Sequence, residues 1–185
     1  VAGCGVKGWC FQADLSDTAH VDALFAQAAA ETGGIDLLIN SASIFPSGRL
    51  DDLTPETVHL NVDVNALAPA RLARHFCHQG RPGSIVNLLD TRMVDYDEAH
   101  VAYHLSKRML FSLTRMQALD YAPSVRVNAV APGLVLPPEG QTDQYLRDLA
   151  HTNPLHGHGD ATDVSDAVVY LVTSRFVTGQ VLYVD

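Results

Sequence analysis

Short apolar runs alternate along this chain with longer segments in which apolar residues recur every three or four positions. The run 35–40 is bounded by Gly-Gly and Ser, which predicts a strand buried on both faces. Because parallel strands need helix-length crossovers between them, the alternation constrains the fold to an α/β parallel sheet with helices on both faces. The predicted strands are 8–13, 35–40, 84–89, 125–130 and 180–184.

Five segments between or beside these strands carry the periodicity of helices. Thr54 before Pro55 is a typical N-cap, and Gly80 is a typical stop signal. With 185 residues, 47% of them hydrophobic, and no interdomain linker, the chain is predicted to form a single domain. The predicted helices are 18–32, 55–78, 99–121, 142–150 and 164–173.

The composition argues against several classes of partner. A net charge of −9 disfavours nucleic acid and anionic membranes, and no apolar run reaches the ~20 residues of a membrane span. No signal peptide is visible, so a cytoplasmic protein is expected. Three cysteines, Cys4, Cys10 and Cys77, are too few for a disulfide framework and are predicted to be small buried hydrophobes.

Tyr103 and Lys107 stand one helical turn apart, and Lys107 is one of only two lysines in the chain. Because residues i and i+4 share a helix face, the ammonium is predicted to lie beside the phenol and to lower its pKa. A tyrosine tuned in this way can act as a general acid. An isolated pair of this kind is more often a surface contact, so its surroundings decide between the two interpretations.

Six strings, the Tyr-Lys pair among them, occur in an order that resembles the short-chain dehydrogenases/reductases. That family has a Rossmann-type, doubly wound sheet, and the resemblance runs from its third strand almost to its last. We therefore expect a single NAD(P)-binding domain that is incomplete at both ends. The strings are Ala13-Asp-Leu-Ser-Asp17, Asp36-Leu-Leu-Ile-Asn-Ser-Ala-Ser43, Gly83-Ser-Ile-Val-Asn87, Tyr103-x-x-x-Lys107, Val125-Arg-Val-Asn-Ala-Val-Ala-Pro-Gly133 and Val177-Thr-Gly-Gln180.

Asp90 restricts the resemblance to one branch of the family, because most members carry Ser at this position. Asp there, with Phe45 following the fourth strand of the family fold, resembles the pteridine reductases and the bacterial dihydromonapterin/dihydrofolate reductases. A carboxylate would repel the alkoxide that forms in ketone reduction, but it suits a substrate with N–H donors and a C=N bond. Two states remain open: Asp90 accepts a hydrogen bond from Tyr103, or it is protonated and passes on a proton.

The resemblance also implies roles for residues around this pair. Lys107 would bond the nicotinamide ribose of NADPH, with NADH as the open alternative, and Asp14 would contact adenine or merely cap a helix. Asn65 matches the Asn of the family's catalytic tetrad. Because Pro69 lacks an N–H, the Asn65 carbonyl has no helical partner. It either binds a water that leads to Lys107, or the helix is merely kinked there. Phe45 would stack on the pterin ring or simply pack. The other implied cofactor-binding residues are Leu15, Asn40, Ser41, Ala42, Ser43, Pro132 and Gly133.

The histidines predict no metal site, because His156-Gly-His158 has no third ligand at a suitable spacing. This segment and the Pro- and Gly-rich stretch 136–140 are typical of the hinges of a mobile flap. His100 and His104 flank Tyr103 and are predicted to have ordinary surface roles.

A homotetramer is implied by the resemblance, because helices 55–78 and 99–121 match those that assemble the family's tetramers. Their apolar residues are interpreted either as an exposed interface or as core. The residues in question are Met109, Leu110 and Leu113.

These observations predict NADPH-dependent reduction of a pterin such as dihydromonapterin, dihydrobiopterin or dihydrofolate. Tyr103 would supply the proton, Asp90 would orient Tyr103 and the substrate, and Asn65 would anchor a water relay. Two alternatives remain. One is a carbonyl or alcohol oxidoreductase of the same superfamily, and the other is a catalytically silent protein that retains the scaffold.

Overall fold

The computed structural model describes residues 4–95, 97–138 and 140–185, and within them four parallel strands form one sheet in the order of the chain. Helices connect the successive strands, as parallel pairing requires. The strands are β1 Leu37–Asn40, β2 Gly83–Leu88, β3 Val125–Pro132 and β4 Val181–Val184. The helices are α1 Thr18–Thr32, α2 Pro55–Val62, α3 Ala68–His78, α4 Val101–Asp120, α5 Asp143–Leu149 and α6 Ala161–Thr173.

Side chains of the central strands alternate between two apolar cores. On β2, Ile85 packs in a cluster with Phe76 of α3 and Ala118 of α4. The next residue, Val86, points to the other face and packs with Leu171 of α6. The predicted α/β sheet with helices on both faces is therefore confirmed.

The edge strand β1 differs from its prediction. Leu38 packs against the cluster beneath α1 and α3, but Leu37 and Ile39 on the opposite face are 38% and 43% exposed. The prediction of burial on both faces was wrong, because within the described residues helices cover only one face of this strand. The strand predicted at 8–13 was also wrong: these residues pair with no strand of the sheet.

The expected burial of the cysteines holds only in part. Cys4 and Cys10 are exposed, because the segment that carries them packs into neither face of the sheet. Cys77 of α3 is half-buried, and burial raises the pKa of its thiol. Within the described ranges, no helix combines the length and the hydropathy that crossing a bilayer requires.

The segment predicted as one helix over 55–78 is interrupted by a π turn, Asp63–Leu67. Thr54 caps its start by accepting a hydrogen bond from the Thr57 N–H. At the π turn the Ala68 N–H reaches back five residues to the Asp63 carbonyl. Pro69 follows and has no N–H to give, so the regular α pattern is broken here. The break places Asn65 inside the irregular turn, and whether its carbonyl also holds a water stays a prediction.

Candidate active site

Tyr103 and Asp90 are joined by a hydrogen bond at the carboxyl end of β2. The Tyr103 hydroxyl donates to Asp90 Oδ2 at 2.8 Å, and Asp90 Oδ1 accepts the Arg92 N–H at 2.7 Å. Asp90 also begins the short 3-10 turn Thr91–Met93, which fixes its side chain. Both carboxylate oxygens act as acceptors, as the first of the two states considered for Asp90 requires.

The environment of Tyr103 favours its neutral form. Its side chain is 6% exposed, and burial, followed by the negative charge of Asp90, raises the pKa of the phenol above its ordinary value. The prediction that this pKa is lowered was wrong, because desolvation and the neighbouring carboxylate both oppose a phenolate. Tyr103 is therefore held as a protonated donor.

Lys107 lies beneath Tyr103 and is almost fully buried, with 3% of its surface exposed. Its ammonium is 5.6 Å from the centre of the Tyr103 ring and donates to the Leu88 carbonyl at 2.9 Å. Burial lowers the pKa of Lys107 to about 8, although Asp90 opposes this shift. Within the described part of the chain Leu88 is its one hydrogen-bond acceptor, so two N–H donors remain for ligand oxygens. Ribose hydroxyls would fit this need.

Asn65 is fully buried, and its side-chain amide makes four hydrogen bonds. Nδ2 donates to the Ile44 carbonyl and to Ser106 Oγ, both at 3.0 Å. Oδ1 accepts from Ser43 Oγ at 3.0 Å and from the Ile44 N–H at 2.8 Å. The side chain thus braces the loop after β1 against α4, a role that sequence reasoning missed. The water relay from its carbonyl stays a prediction.

Phe45 follows this loop and packs against two aromatic rings. It stacks on His100 with ring centres 3.9 Å apart and planes at 12°, and it meets Tyr103 edge to face at 4.6 Å and 81°. The ring is still 44% exposed. A packing role is therefore present, and stacking on a substrate stays a prediction.

Asp97 is a site residue that sequence reasoning missed. It contacts His100 Nδ1 at 3.1 Å and His104 Nε2 at 3.0 Å, and it accepts the Ala99 N–H at 2.8 Å. The surface role predicted for His104 was wrong, because it is 3% exposed, whereas His100 is half-buried and is held by Asp97. Asp97 precedes α4, so its closeness in sequence to both histidines is the one signal that could have suggested the cluster.

Phe45, Asp90 and Tyr103 border a cavity of about 680 Å³ that also reaches Gly133. Pro132 ends β3, and the Gly133 N–H donates to the Val184 carbonyl at 2.8 Å. A Cβ at Gly133 would overlap the Asp185 side chain, which would have to shift. The cavity thus joins a proton donor, an acceptor and an aromatic ring at the carboxyl ends of the strands, where ligands bind in sheets of this type.

The chain is similar to several known proteins. A family model described as enoyl-(acyl carrier protein) reductase matches residues 1–185. The chain is 33% identical to a ketoacyl reductase assigned to the granaticin polyketide synthase of Streptomyces violaceoruber, covering 94% of this chain and 74% of that protein. It is 30% identical to dihydromonapterin reductase from Escherichia coli, covering 95% and 75% of the two chains.

A solved structure is also similar. The crystal structure of FolM, alternative dihydrofolate reductase 1 from Brucella canis complexed with NADP, superposes with a TM-score of 0.88. The two chains are 31% identical, over 95% of this chain and 70% of the other. The chain belongs to the short-chain dehydrogenase/reductase family. The resemblance in its six motifs is therefore confirmed.

The cofactor-binding residues predicted from the family divide between two places. Gly133 borders the Tyr103 cavity and Lys107 is buried beneath Tyr103, whereas Leu15, Asn40, Ser41 and Ala42 line a separate groove of about 270 Å³ beside β1. The Asn40 amide is occupied, because it donates to Asn87 Oδ1 at 2.8 Å.

Asp14 is exposed near this groove. Its carboxylate accepts from the Ser16 N–H and hydroxyl, at 2.9 Å and 2.7 Å. Asp17, not Asp14, caps α1, so the helix-cap alternative for Asp14 was wrong. Its contact with adenine stays a prediction.

The segments predicted to form a flap lie partly at the site. Leu136 and Pro138 border the Tyr103 cavity, while Glu139 lies outside the described residues. Among the residues that the structure describes, no group of three or more histidine, cysteine or acidic side chains, the Asp97 cluster included, could hold a metal ion.

Proposed function

We propose that this protein uses NADPH to reduce the C=N bond of a dihydropterin. The observation that carries the proposal is the hydrogen bond from Tyr103 to Asp90 at 2.8 Å, at the edge of the cavity. It pairs a neutral proton donor with a carboxylate that can accept N–H groups of an aminopyrimidine ring. The similarity to dihydromonapterin reductase and to an alternative dihydrofolate reductase supports this substrate class.

In the proposed reaction, Lys107 would hold NADPH by its ribose, and the cofactor would supply the hydride that adds to the carbon of the C=N bond. Tyr103 gives its phenolic proton to the ring nitrogen: the O–H bond breaks, an N–H bond forms, and the nitrogen uses the electron pair of the former π bond. Asp90 orients the phenol and accepts from the substrate amine. Lys107 holds the ribose hydroxyls with its two remaining donors and offsets the phenolate charge. The imine is reduced to an amine, and NADPH is oxidised to NADP⁺.

The raised pKa of Tyr103 makes prompt reprotonation important in this scheme. A phenolate beside Asp90 would be costly, so a proton has to return through a relay after each turnover. We place the relay water at the Asn65 carbonyl, within the π turn that Pro69 enforces. Lys107 would pass the proton on to Tyr103.

The charges around the cavity favour dihydropterins with neutral side chains. Within the described residues its border carries the carboxylates of Asp90, Asp95, Asp97 and Asp185, against the single guanidinium of Arg92. Dihydrofolate brings the carboxylates of its glutamate tail, which this field would repel. Dihydromonapterin carries no such charge and is the substrate that we favour.

A second candidate is the reduction of a carbonyl group, which the similarity to a polyketide ketoacyl reductase favours. The alkoxide that forms in such a reaction would lie near the Asp90 carboxylate. Because like charges repel, Asp90 would slow carbonyl reduction while serving pterin reduction.

The variant Asp90→Ser separates these two functions. We expect kcat/KM for dihydromonapterin to fall about 100-fold, because the acceptor for the substrate amine and for Tyr103 is weakened. Reduction of a ketone should be unchanged or faster. Asp95→Ser is the matched control, since Asp95 borders the same cavity. Equal loss of both activities in Asp90→Ser would contradict the assigned role.

We further propose a homotetramer assembled through α2, α3 and α4. Leu105, Met109 and Met116 form an apolar stripe on α4 and are 47%, 40% and 62% exposed. Leu60 and Leu67, seven residues apart beside it, are 47% and 46% exposed. Leu110, considered above as an interface residue, belongs to the core and is 1% exposed.

A further inference from the structure

Asp97 anchors two histidines on either side of Tyr103. His100 and His104 both contact its carboxylate, and the Ala99 N–H donates to the same group at 2.8 Å. Burial opposes the charged form of Asp97, but the hydrogen bonds from His104, Ala99 and His100 outweigh it and lower the pKa to about 2. Asp97 is thus an ionised carboxylate that holds both imidazoles near the start of α4.

One member of this cluster holds an aromatic ring of the cavity. The imidazole of His100 lies almost parallel to the ring of Phe45, with centres 3.9 Å apart. Because both carboxylate oxygens of Asp97 contact His100 Nδ1, they fix the orientation of the imidazole ring. Phe45 in turn meets Tyr103 edge to face at 4.6 Å. Contacts through the rings of His100 and Phe45 therefore link Asp97 to the proton donor, Tyr103.

The backbone strengthens the same arrangement. Gly48 forms a bridge to the start of α4: its N–H donates to the Ala99 carbonyl at 2.7 Å, and its carbonyl accepts from Val101 at 3.1 Å. The loop that carries Phe45 is consequently tied to the residue on each side of His100. Phe45 keeps 44% of its surface exposed where it borders the cavity.

We propose that His100 is a positioning residue that fixes the ring of Phe45 as a platform for planar substrates. The inference rests on the proposed function and on the prediction that Phe45 stacks on the flat ring of a dihydropterin. A ring already held by His100 on one side loses little freedom when a second ring binds, so affinity for flat substrates increases. His100 acts through Phe45 and takes no part in the proton transfer.

Kinetics of two substitutions at His100 test this role. In His100→Ala we expect KM for dihydromonapterin to rise about 3- to 10-fold with kcat nearly unchanged, because only the platform is lost. His100→Phe restores a stacking ring without the bond to Asp97 and should recover most of the KM. His78→Ala, an exposed histidine at the end of α3, is the control for loss of a histidine. A fall in kcat at constant KM, or no change, would overturn the proposal.

A measurement without turnover keeps the positioning role distinct from the proposed function. In protein labelled at its six phenylalanines, the Phe45 resonance, assigned through Phe45→Leu, should carry a ring-current shift from His100. We expect this shift to disappear in His100→Ala and to remain in His78→Ala. A Phe45 resonance that is identical in His100→Ala and the wild type would overturn the proposal. If the wild type reduces no pterin, the proposed function fails, and the spectrum still decides whether His100 positions Phe45.

Discussion

At the scale of single residues, burial shifts the pKa values of Tyr103 and Lys107 in opposite directions and so gives the two side chains different roles. Tyr103 is kept neutral because burial and Asp90 raise its pKa, whereas burial lowers the pKa of Lys107 to about 8. A neutral phenol can donate its proton, and a lysine whose pKa is close to neutral pH can exchange one. The pair is thus suited to donate and then restore one proton per turnover.

Replacing Tyr103 with Phe removes the proton donor but preserves the ring that packs against Phe45. We expect kcat for dihydropterin reduction to fall by about 100-fold or more, because no other group takes over the proton transfer. Affinity for NADPH, measured by fluorescence titration, should stay nearly unchanged. Tyr145→Phe is the matched control, since Tyr145 borders the same cavity. Retained turnover in Tyr103→Phe would show that the proton comes from elsewhere.

The lowered pKa of Lys107 predicts a descending limb in the pH profile of kcat/KM. Below about 8 the ammonium is charged and active, and as the pH rises through about 8 it loses its proton and its role. Tyr103 does not account for this limb, because its pKa is raised. Rates measured between about pH 6 and 10 should therefore fall on the alkaline side. The limb should move to higher pH in Lys107→Arg, and a flat profile in the wild type would contradict the assignment.

The pairing of Tyr103 with Lys107 was predictable from their spacing, but the direction of the phenol's pKa was not. Spacing places two residues on one helix face, while the pKa depends on how much water reaches them and on Asp90, thirteen residues away. The Asp97 cluster was overlooked for a related reason: its polar side chains resemble a solvated face until their burial is known.

Among the elements, the helices were predicted closely because their ends carry local signals. Thr54 and Asp17 both act as caps through their own side chains. Strands depend on partners distant in sequence, so 8–13 has a strand-like pattern but no pairing, and β1 is covered on one face only. A break near Pro69 could be predicted from the sequence. The four hydrogen bonds of Asn65 could not, because they depend on where the loop after β1 lies in space.

Loss of the Asn65 side chain should destabilise the π turn and the loop together. In Asn65→Ala we expect the free energy of unfolding to fall by about 2–4 kcal/mol, because the Ile44 N–H loses its acceptor and Ser106 Oγ loses the donor that the amide supplies. Urea denaturation measures this change. Asn61→Ala is the matched control: Asn61 is equally buried on the preceding helix, but among the described residues its amide makes one hydrogen bond, to the Thr57 carbonyl. Equal costs for the two variants would contradict the bracing role.

For the whole molecule, the exposed stripe on α4 predicts assembly. An apolar surface of this extent is more stable when covered, and helix faces of this kind pack against one another. We expect sedimentation analysis to show a tetramer for the wild type and smaller species for Leu105→Asp, which places a charge in the stripe. Leu155→Asp is the control, since Leu155 is 84% exposed and lies outside α4. A monomeric wild type at micromolar concentration would contradict the assembly.

The central claim is that the Tyr103–Asp90 pair serves pterin reduction. Its most direct test is NADPH oxidation by the full-length protein with dihydromonapterin, set beside a simple ketone at equal concentration. The account predicts oxidation that depends on the dihydropterin and is much slower with the ketone. Oxidation with the ketone alone would contradict the substrate assignment, and no oxidation with either would favour a scaffold without catalytic activity.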